Sequence, residues 1–169
     1  MVRHDGTGLA VPKKGGVMEA VILVGIQASG KSTFYQQRFF DTHVRISRDL
    51  LKTRNRERQL LAACLETRQP FVVDNTNVLA EERARYVGPA KAAGFRAVCY
   101  FFRTETRAAI ARNRLRQGKA VVPIPGILGT YKKLEEPRMD EGFDEMYAVT
   151  LTSSNEFVVE PFTLPPQPE

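Results

Sequence analysis

The sequence has little of what marks disulfide-rich, metal-cluster or membrane-spanning proteins. Only two of its 169 residues are cysteines, Cys64 and Cys99, and they lie far apart in apolar stretches without Cys-x-x-Cys or metal-ligand spacing. We therefore expect two buried, reduced thiols. The sequence also has no signal-peptide pattern and no run of about 18 apolar residues that would span a bilayer. These absences predict a soluble, cytoplasmic protein without a membrane partner.

The chain also lacks an excess of acidic residues. It carries 19 Asp and Glu against 25 Lys and Arg, which gives a net charge of +6 at pH 7. A positive surplus suggests an anionic partner, although it serves solubility equally well. The hydrophobic fraction of 43% is ordinary for a globular domain, and no internal repeats occur. We expect one folded domain.

The strongest motif is residues 25–32 (GIQASGKS), which fit the phosphate-binding pattern of Gly, four residues, then Gly-Lys-Ser. An apolar, β-branched run precedes the motif and helix-compatible residues follow it, so the loop lies between a strand and a helix. Backbone N–H groups and a helix N-terminus favour a triphosphate there, Lys31 reaches its β- and γ-phosphates, and Ser32 can ligate Mg²⁺. The alternative is a glycine-rich turn with an incidental lysine.

The glycine spacing narrows the class of nucleotide. Gly-x-Gly-x-x-Gly is absent, which disfavours a dinucleotide-binding loop. The residues that we expect to contact the nucleotide from this loop are Gly25, Gln27, Ala28, Ser29, Gly30, Lys31, Ser32 and Thr33.

Two aspartates follow predicted strands, at the sheet edge where open α/β proteins bind ligands. Asp49 comes after the short strand 43–47, where it would take the proton from an acceptor hydroxyl or, alternatively, cap the helix that begins at Leu50. Asp74 ends the apolar run 71–73, where a Walker B aspartate holds Mg²⁺ or its water shell. The alternative for residues 74–77 is a polar turn that caps the next helix. Spacing leaves both choices open.

Basic residues concentrate in two segments, 44–59 and 103–119. The first holds Arg45, Arg48, Lys52, Arg54, Arg56 and Arg58 against two acids, and the second holds Arg103, Arg107, Arg112, Arg114, Arg116 and Lys119 against Glu105 alone. An arginine-rich helix end that leads into a loop at Gln117-Gly118 is typical of a kinase lid, which closes over phosphates. For any single arginine, a solvated helix face is the alternative.

Strands alternate with helices after the phosphate loop, which predicts a parallel sheet between helical layers. We expect parallel strands near 20–24, 43–47, 71–74, 95–102 and 146–151, with an edge strand at 157–159. Predicted helices cover 32–40, 50–65, 79–93 with an interruption at Gly88-Pro89, 104–116 and 126–134. Residues 1–17 read as a flexible lead-in, 18–155 as the phosphate-loop domain, and 156–169 as an edge strand with a proline-rich tail.

Several separate motifs together resemble the kinase domain of polynucleotide kinase/phosphatases, and similar motifs occur in single-domain bacterial P-loop kinases. In chain order they are residues 25–34 (GIQASGKSTF), 46–49 (ISRD), 72–77 (VVDNTN), 83–86 (RARY), 112–114 (RNR) and 141–143 (EGF). The resemblance covers roughly residues 19–151. It implies a P-loop kinase-type α/β/α sandwich of three layers, with a mainly five-stranded parallel sheet and a helical lid. Nothing in the chain resembles a phosphatase or phosphopeptide-binding module.

The resemblance also implies roles for single residues. Lys31, Asp49 and Arg116 match catalytic residues: the loop lysine, the general base for a 5′-hydroxyl, and an arginine on the donor phosphates. Ser32 and Asp74 match the metal site.

Other positions are expected to bind the two substrates. Arg112 joins Arg116 at the nucleotide, and the acceptor contacts are expected from Arg48, Lys52, Asn75, Asn77 and Arg83. Phage-type members carry an arginine at the position of Lys52. A lysine offers a phosphate only a point charge without the bidentate fork of a guanidinium, which leaves the acceptor open.

The expected function is therefore an ATP-dependent, Mg²⁺-requiring kinase that phosphorylates a 5′-hydroxyl end of DNA or RNA, a reaction of nucleic acid repair. One alternative is a kinase of a small hydroxylated metabolite, such as a sugar or nucleoside. Another is a non-catalytic ATP-binding regulator, against which Asp49 argues because such a protein needs no base. The sequence leaves the oligomeric state open.

Overall fold

The computed structural model describes residues 18–162, so the expected lead-in and the end of the proline-rich tail lie outside the described residues. The strands are β1 (Glu19–Val24), β2 (Val44–Ile46), β3 (Phe71–Asp74), β4 (Arg96–Phe102), β5 (Glu145–Leu151) and β6 (Phe157–Pro161). The helices are α1 (Lys31–Arg38), α2 (Arg48–Leu51), α3 (Arg54–Thr67), α4 (Ala80–Ala92), α5 (Thr106–Asn113) and α6 (Ile124–Lys133). Single 3₁₀ turns lie at Gly118–Ala120 and Met139–Glu141.

The strand β1 lies inside the sheet, between β3 and β4, in the order β2-β3-β1-β4-β5-β6. Strands β1 to β5 are parallel, and β6 pairs antiparallel with β5 at the edge. Every residue of β1 and β3 is buried, as expected for parallel strands that are covered on both faces. The predicted α/β fold with five parallel strands is confirmed.

Helices cover both faces of the sheet because side chains of β1 alternate between two cores. Ala20 and Ile22 share one core with residues of α3 and α4, whereas Val21 and Leu23 share the other with α1. The ring of Phe34 on α1 packs against the rings of Phe39, Tyr100, Phe102 and Phe157. A smaller cluster of Ile26, Ala28, Ala109 and Ile127 fastens α5 and α6 onto the phosphate loop.

Both cysteines are buried and free, as predicted. Burial raises the pKa of the Cys64 and Cys99 thiols, so neither thiol behaves as a reactive nucleophile. No helix within residues 18–162 combines the length and apolar character that crossing a bilayer requires.

The predicted helix 50–65 is wrong in its continuity, because the chain breaks between α2 and α3. Lys52 ends α2 with a φ of 69°, a conformation that a lysine rarely adopts. Thr53 then caps α3, and its side chain accepts a hydrogen bond from the N–H of Arg56 at 3.2 Å. The break makes α2 a separate single turn directly after β2.

Two other helix predictions need correction. The restart expected at Gly88-Pro89 does not occur, and α4 runs through both residues. Both lie on its exposed side, where water can solvate the carbonyl that loses its partner. Helix α5 ends at Asn113 rather than near Arg116. The Asn113 side chain donates to the carbonyl of Val122 at 2.6 Å and accepts from its N–H at 2.9 Å, which ties down the following loop.

Candidate functional site

The phosphate loop connects β1 to α1, and its backbone is packed too closely for larger residues. A Cβ atom on Gly25 would lie 2.9 Å from the Cβ of Phe102 and 3.3 Å from its carbonyl oxygen. Gly30, which directly precedes α1, has a φ of 95° that glycine adopts without cost. Ala28 also has a positive φ, of 59°, a form of strain that clusters at functional turns.

The Lys31 ammonium lies inside this loop. It donates hydrogen bonds to the carbonyls of Gly25 at 2.9 Å and Ile26 at 2.7 Å, and to the Ser29 hydroxyl at 3.2 Å. Burial lowers the pKa of Lys31 from 10.5 to about 8, although the carboxylate of Asp74 opposes the shift. Lys31 therefore remains largely protonated at pH 7 and can offer its charge to a phosphate.

Ser32 and Asp74, both predicted for the metal site, lie in contact. The Ser32 hydroxyl donates to Asp74 Oδ2 at 2.9 Å, and Asp74 is only 7% exposed at the end of β3. Magnesium in phosphate-binding proteins takes one or two carboxylate or hydroxyl oxygens and completes its shell with water and substrate phosphates. This oxygen pair beside the phosphate loop fits such an ion. Arg45 also contacts the pair, which the sequence did not indicate.

A cleft of about 310 Å³ opens on one side of the phosphate loop, and we call it the Asp49 cleft. Its walls come from the loop, α2, the start of α3, the chain after β3, α4 and the segment before α6. The lining residues are Gln27, Arg48, Asp49, Arg54, Asn75, Thr76, Asn77, Glu82, Tyr86 and Val122.

Asp49 lies exposed in the first turn of α2. Ser47 occupies the capping position, so the alternative reading of Asp49 as the helix cap is wrong. No residue between 18 and 162 donates a hydrogen bond to the Asp49 carboxylate. In the same cleft, Gln27 Oε1 and Arg48 Nε are buried, with no partner among the described residues. Because buried polar groups are normally bonded, these atoms are available to a polar ligand.

A buried hydrogen-bond network holds the helix that carries Asp49. The N–H of Arg48 donates to Asn75 Oδ1 at 2.8 Å, and the Asn75 amide donates to Glu57 Oε2 at 3.1 Å. The Tyr86 hydroxyl donates to Glu57 Oε1 at 2.8 Å, and burial is the largest cause that raises its pKa. Glu57 is only 4% exposed. The network joins α2, α3, α4 and the end of β3, so the backbone at Asp49 is fixed while its carboxylate is not.

A second cleft, of about 280 Å³, lies on the other side of the loop, and we call it the Arg116 cleft. It is lined by Ala28, Gly30, Thr33, Arg112, Arg116, Leu151, Asn155 and Phe157. Arg112 donates to the Ala28 carbonyl at 3.4 Å, and Arg116 donates to the Ala120 carbonyl at 3.2 Å. Arg112, Arg116, Gly30 and Thr33, all predicted to bind the nucleotide, thus line one cleft.

Three of the predicted acceptor contacts have other surroundings. The prediction for Arg83 is wrong, because its side chain is fully buried and forms a two-bond ion pair with Glu141 at 2.7 and 3.0 Å. Asn77 borders the cleft, but its amide donates to the Leu23 carbonyl at 2.8 Å, which ties the chain after β3 to β1. Lys52 is exposed and does not line the Asp49 cleft.

Sequence reasoning missed several residues that border the site. Glu57 and Tyr86 had a weak signal, as a rare acid in the basic segment 44–59 and as part of the RARY motif. Arg45 was counted only as one basic residue of that segment. Leu151, Asn155 and Phe157 had no signal, because the hairpin of β5 and β6 reaches the Arg116 cleft only through the fold.

Comparison with curated proteins finds a relative that is itself a kinase. The bifunctional polynucleotide phosphatase/kinase of Schizosaccharomyces pombe is 26% identical over 153 residues. The match includes 88% of this chain but only 38% of the yeast protein, so this chain spans well under half of its relative's length.

Solved structures with the same fold include a gluconokinase and the protein Kti12. A gluconokinase from Sinorhizobium meliloti 1021 has a TM-score of 0.57 at 21% identity, covering 80% of this chain and 84% of that one. Kti12 from Chaetomium thermophilum, solved in complex with ADP-AlF3, has a TM-score of 0.60 at 14% identity, covering 80% and 92%. At these identities the likeness concerns the fold alone.

The family model that matches is described as an AAA domain, AAA_33, and it spans residues 21–126. This range runs from β1 through the phosphate loop and the Asp49 cleft to the start of α6, which is more than half of the chain. The protein, with its phosphate loop and its kinase-type fold, therefore belongs to the AAA_33 family of AAA domains.

Proposed function

We propose that the protein is an ATP-dependent kinase that transfers the γ-phosphate to a 5′-hydroxyl end of DNA or RNA. The single observation that carries the proposal is Asp49, a carboxylate without a hydrogen-bond partner among residues 18–162, in a cleft beside the phosphate loop. A passive nucleotide-binding protein needs no such base. The similarity to the kinase-containing yeast relative supports a polynucleotide as acceptor.

Three side chains, Asp49, Lys31 and Arg116, act directly in the proposed reaction. The acceptor hydroxyl enters the Asp49 cleft, and Asp49 takes its proton as the oxygen attacks the γ-phosphorus and ADP leaves. Lys31 and Arg116 balance the negative charge on the transferred group, Lys31 from the loop and Arg116 from the opposite cleft. Ser32 and Asp74 would hold Mg²⁺, which neutralises phosphate charge when it is bound.

The charge around the Asp49 cleft supports an anionic acceptor. Arg48 and Arg54 line the cleft, while Lys52, which directly follows α2, and Arg56 and Arg58 of α3 are exposed. Such a group of cations beside a site attracts the phosphates that follow a 5′-terminal nucleoside. The cleft volume of about 310 Å³ suits one terminal nucleoside rather than a duplex.

A second candidate is a kinase of a small hydroxylated metabolite, such as a sugar or nucleoside. Arg48 and Arg54 within the cleft are matched by Asp49 and Glu82, so the cleft itself is nearly neutral. The fold is also that of the gluconokinase. The third candidate, a non-catalytic ATP-binding regulator, has no specific observation in its favour.

The experiment that tests the proposal follows labelled γ-phosphate from ATP in the presence of Mg²⁺. The acceptors are a 5′-hydroxyl oligodeoxynucleotide, the matching oligoribonucleotide, the same oligonucleotides already 5′-phosphorylated, and gluconate. We expect label on the 5′-hydroxyl ends alone. Label on gluconate alone would support the second candidate, and ATP binding without any labelled acceptor would support the third.

Salt dependence gives an independent check on the acceptor. If the acceptor is a polynucleotide, its KM should rise steeply with salt concentration, because phosphate contacts release counterions. Binding of an uncharged sugar should change little over the same range. A KM for the oligonucleotide that does not respond to salt would contradict the proposed role of the basic residues on α2 and α3.

A further inference from the structure

The pair of oxygens that fits Mg²⁺ is already occupied by a cationic side chain from β2. Arg45 donates from Nε to Asp74 Oδ2 at 2.8 Å, and its terminal nitrogen lies 2.7 Å from the same oxygen. The same terminal nitrogen donates to the Ser32 hydroxyl at 3.1 Å. The guanidinium therefore covers both residues that we assign to the metal.

The contacts of Arg45 compete with a metal ion for the Ser32 hydroxyl and for Asp74 Oδ2. Asp74 Oδ2 accepts hydrogen bonds from the Ser32 hydroxyl and from Arg45 Nε, and a terminal nitrogen of Arg45 lies 2.7 Å from the same oxygen, so a cation that binds this oxygen has to displace at least one of these groups. A positive guanidinium at this distance also repels a divalent cation. Arg45 has to release Ser32 and Asp74 before the two oxygens can hold Mg²⁺.

Burial indicates which partner moves. The Asp74 side chain is 3% exposed, whereas that of Arg45 is 32% exposed and extends from the short strand β2 near the sheet edge. The guanidinium carbon also lies 5.8 Å from the centroid of the Tyr35 ring, which offers it a second favourable contact. Arg45 can swing toward the phosphates or the solvent without opening the core, and Asp74 cannot.

We propose that Arg45 sets the magnesium dependence of nucleotide binding, by supplying positive charge at the Ser32–Asp74 pair when no metal is present. In the metal-free protein the guanidinium holds the carboxylate in place and leaves positive charge beside the phosphate loop. When a magnesium-bound nucleotide binds, the arginine gives up the oxygens. Arg45 therefore supports binding of metal-free nucleotide and competes with the metal. The inference rests on the proposed binding of ATP and Mg²⁺.

The test measures binding of the non-hydrolysable ATP analogue AMP-PNP by calorimetry, once with excess EDTA and once with excess Mg²⁺. The ratio of the two Kd values gives the coupling between metal and nucleotide for each variant. We compare the unaltered protein with Arg45→Gln, Arg45→Lys, and Arg138→Gln, which removes an equal charge from an exposed position outside both clefts.

For Arg45→Gln we expect weaker binding of AMP-PNP in EDTA, unchanged or tighter binding in Mg²⁺, and a coupling ratio that rises about tenfold. Arg45→Lys should give an intermediate ratio, since it retains the charge without the fork. Arg138→Gln should match the unaltered protein. Thermal unfolding of each variant verifies that the fold is retained.

Two results would overturn the inference alone. An unchanged coupling ratio would show that Arg45 does not compete with the metal, and a lower ratio would show that it orients Asp74 for the metal instead. In both cases the unaltered protein still binds AMP-PNP, and the proposed function stands. Failure of the unaltered protein to bind AMP-PNP under either condition would contradict the proposed function and this inference together.

Discussion

Two aspartates at the carboxyl edge of the same sheet have opposite surroundings. Asp74 is buried at the end of β3 and accepts hydrogen bonds from Ser32 and Arg45. Asp49 is exposed in the first turn of α2, and within residues 18–162 its carboxylate has no donor. Only the backbone beside Asp49 is held, through the N–H of Arg48. One carboxylate is committed to neighbouring groups, and the other is free to accept a proton.

Environment, rather than residue type, separates the roles that we propose for these two aspartates. A carboxylate that is bonded by cationic and hydroxyl donors has fewer free lone pairs to offer an acceptor hydroxyl. A carboxylate on a fixed backbone with an open cleft before it can receive a hydroxyl proton. This contrast supports our proposal that two residues with similar positions after parallel strands serve metal and acceptor separately.

The largest effect is expected when the charge of Lys31 is removed, because this ammonium interacts with both Asp74 and Asp49. Asp74 and Asp49 each raise the pKa of Lys31 against the larger effect of burial. Lys31→Met keeps an apolar stem of similar length but removes the charge, and we expect phosphate transfer to fall by about 10²- to 10³-fold or more. Single-turnover rates measure this effect. Retained turnover in a folded variant would show that the loop lysine is structural.

The next change removes Arg116, which we propose to contact the phosphates of the donor nucleotide, and leaves both aspartates in place. Arg116 is exposed in the Arg116 cleft, and the hydrogen bond from its side chain to the Ala120 carbonyl is a surface contact. We expect Arg116→Ala to lower the transfer rate by about 10- to 100-fold, the equivalent of one charge-assisted hydrogen bond, with little change in stability. Arg107→Ala, on the preceding helix and outside that cleft, is the matched control. An unchanged rate would remove Arg116 from the reaction.

A smaller effect is expected when the hydrogen-bond network that holds α2 is weakened and the Asp49 carboxylate is retained. Tyr86→Phe removes the hydroxyl that donates to buried Glu57 at 2.8 Å. We expect the free energy of unfolding to fall by about 1–3 kcal/mol, because a buried acceptor loses its partner. The transfer rate should fall several-fold while the Kd for ATP stays constant, since the network holds α2 and not the phosphate loop. A rate equal to that of the unaltered protein would separate the network from Asp49.

The sheet and the phosphate loop could be predicted from sequence because their signals are local. Every residue of β1 is apolar after Glu19, and the loop motif follows at once. A parallel strand that is buried on both faces produces such a run in any context. The locations of Asp49 and Asp74 at one edge follow from the same strand order.

The parts that could not be predicted depend on contacts between distant residues or on strained backbone. Arg83 and Glu141 are 58 residues apart, and only the folded chain reveals that their ion pair removes Arg83 from any substrate site. Arg45 reaches Asp74 across 29 residues. The break at Lys52 arises from a left-handed conformation that a lysine gives no reason to expect. The secondary-structure propensities of the residues indicate neither the two ion pairs nor the break, because tertiary contacts override them.

The smallest effect concerns an aspartate that serves the scaffold alone. Asp144 accepts from Lys91 at 2.7 Å and from the N–H of Ala97 at 2.8 Å, and the Lys91 hydrogen bond is the main cause that lowers its pKa. We expect Asp144→Asn to reduce stability at pH 7 by at most about 1 kcal/mol, because solvent screens the exposed pair.

The pH dependence of that effect has a defined sign. The pKa of Asp144 is lower in the folded protein than in the unfolded chain, so the stabilisation is complete above about pH 4 and is lost as the pH falls through the folded-state pKa. Urea unfolding of both proteins at pH 7 and pH 3 measures this. A stability difference between them that stays constant down to pH 3 would contradict the assignment.

The measurement that tests the account most directly compares Asp49→Asn with Asp74→Asn. For each variant we would determine the single-turnover rate on a 5′-hydroxyl oligonucleotide, the Kd for AMP-PNP with Mg²⁺, and the temperature of unfolding. We expect Asp49→Asn to lower the rate by about 10²-fold or more and to leave the Kd and the unfolding temperature unchanged. Asp74→Asn should weaken nucleotide binding and lower the unfolding temperature. A loss of nucleotide binding in Asp49→Asn equal to its loss of rate, or a rate that survives the substitution, would contradict the division between the two aspartates.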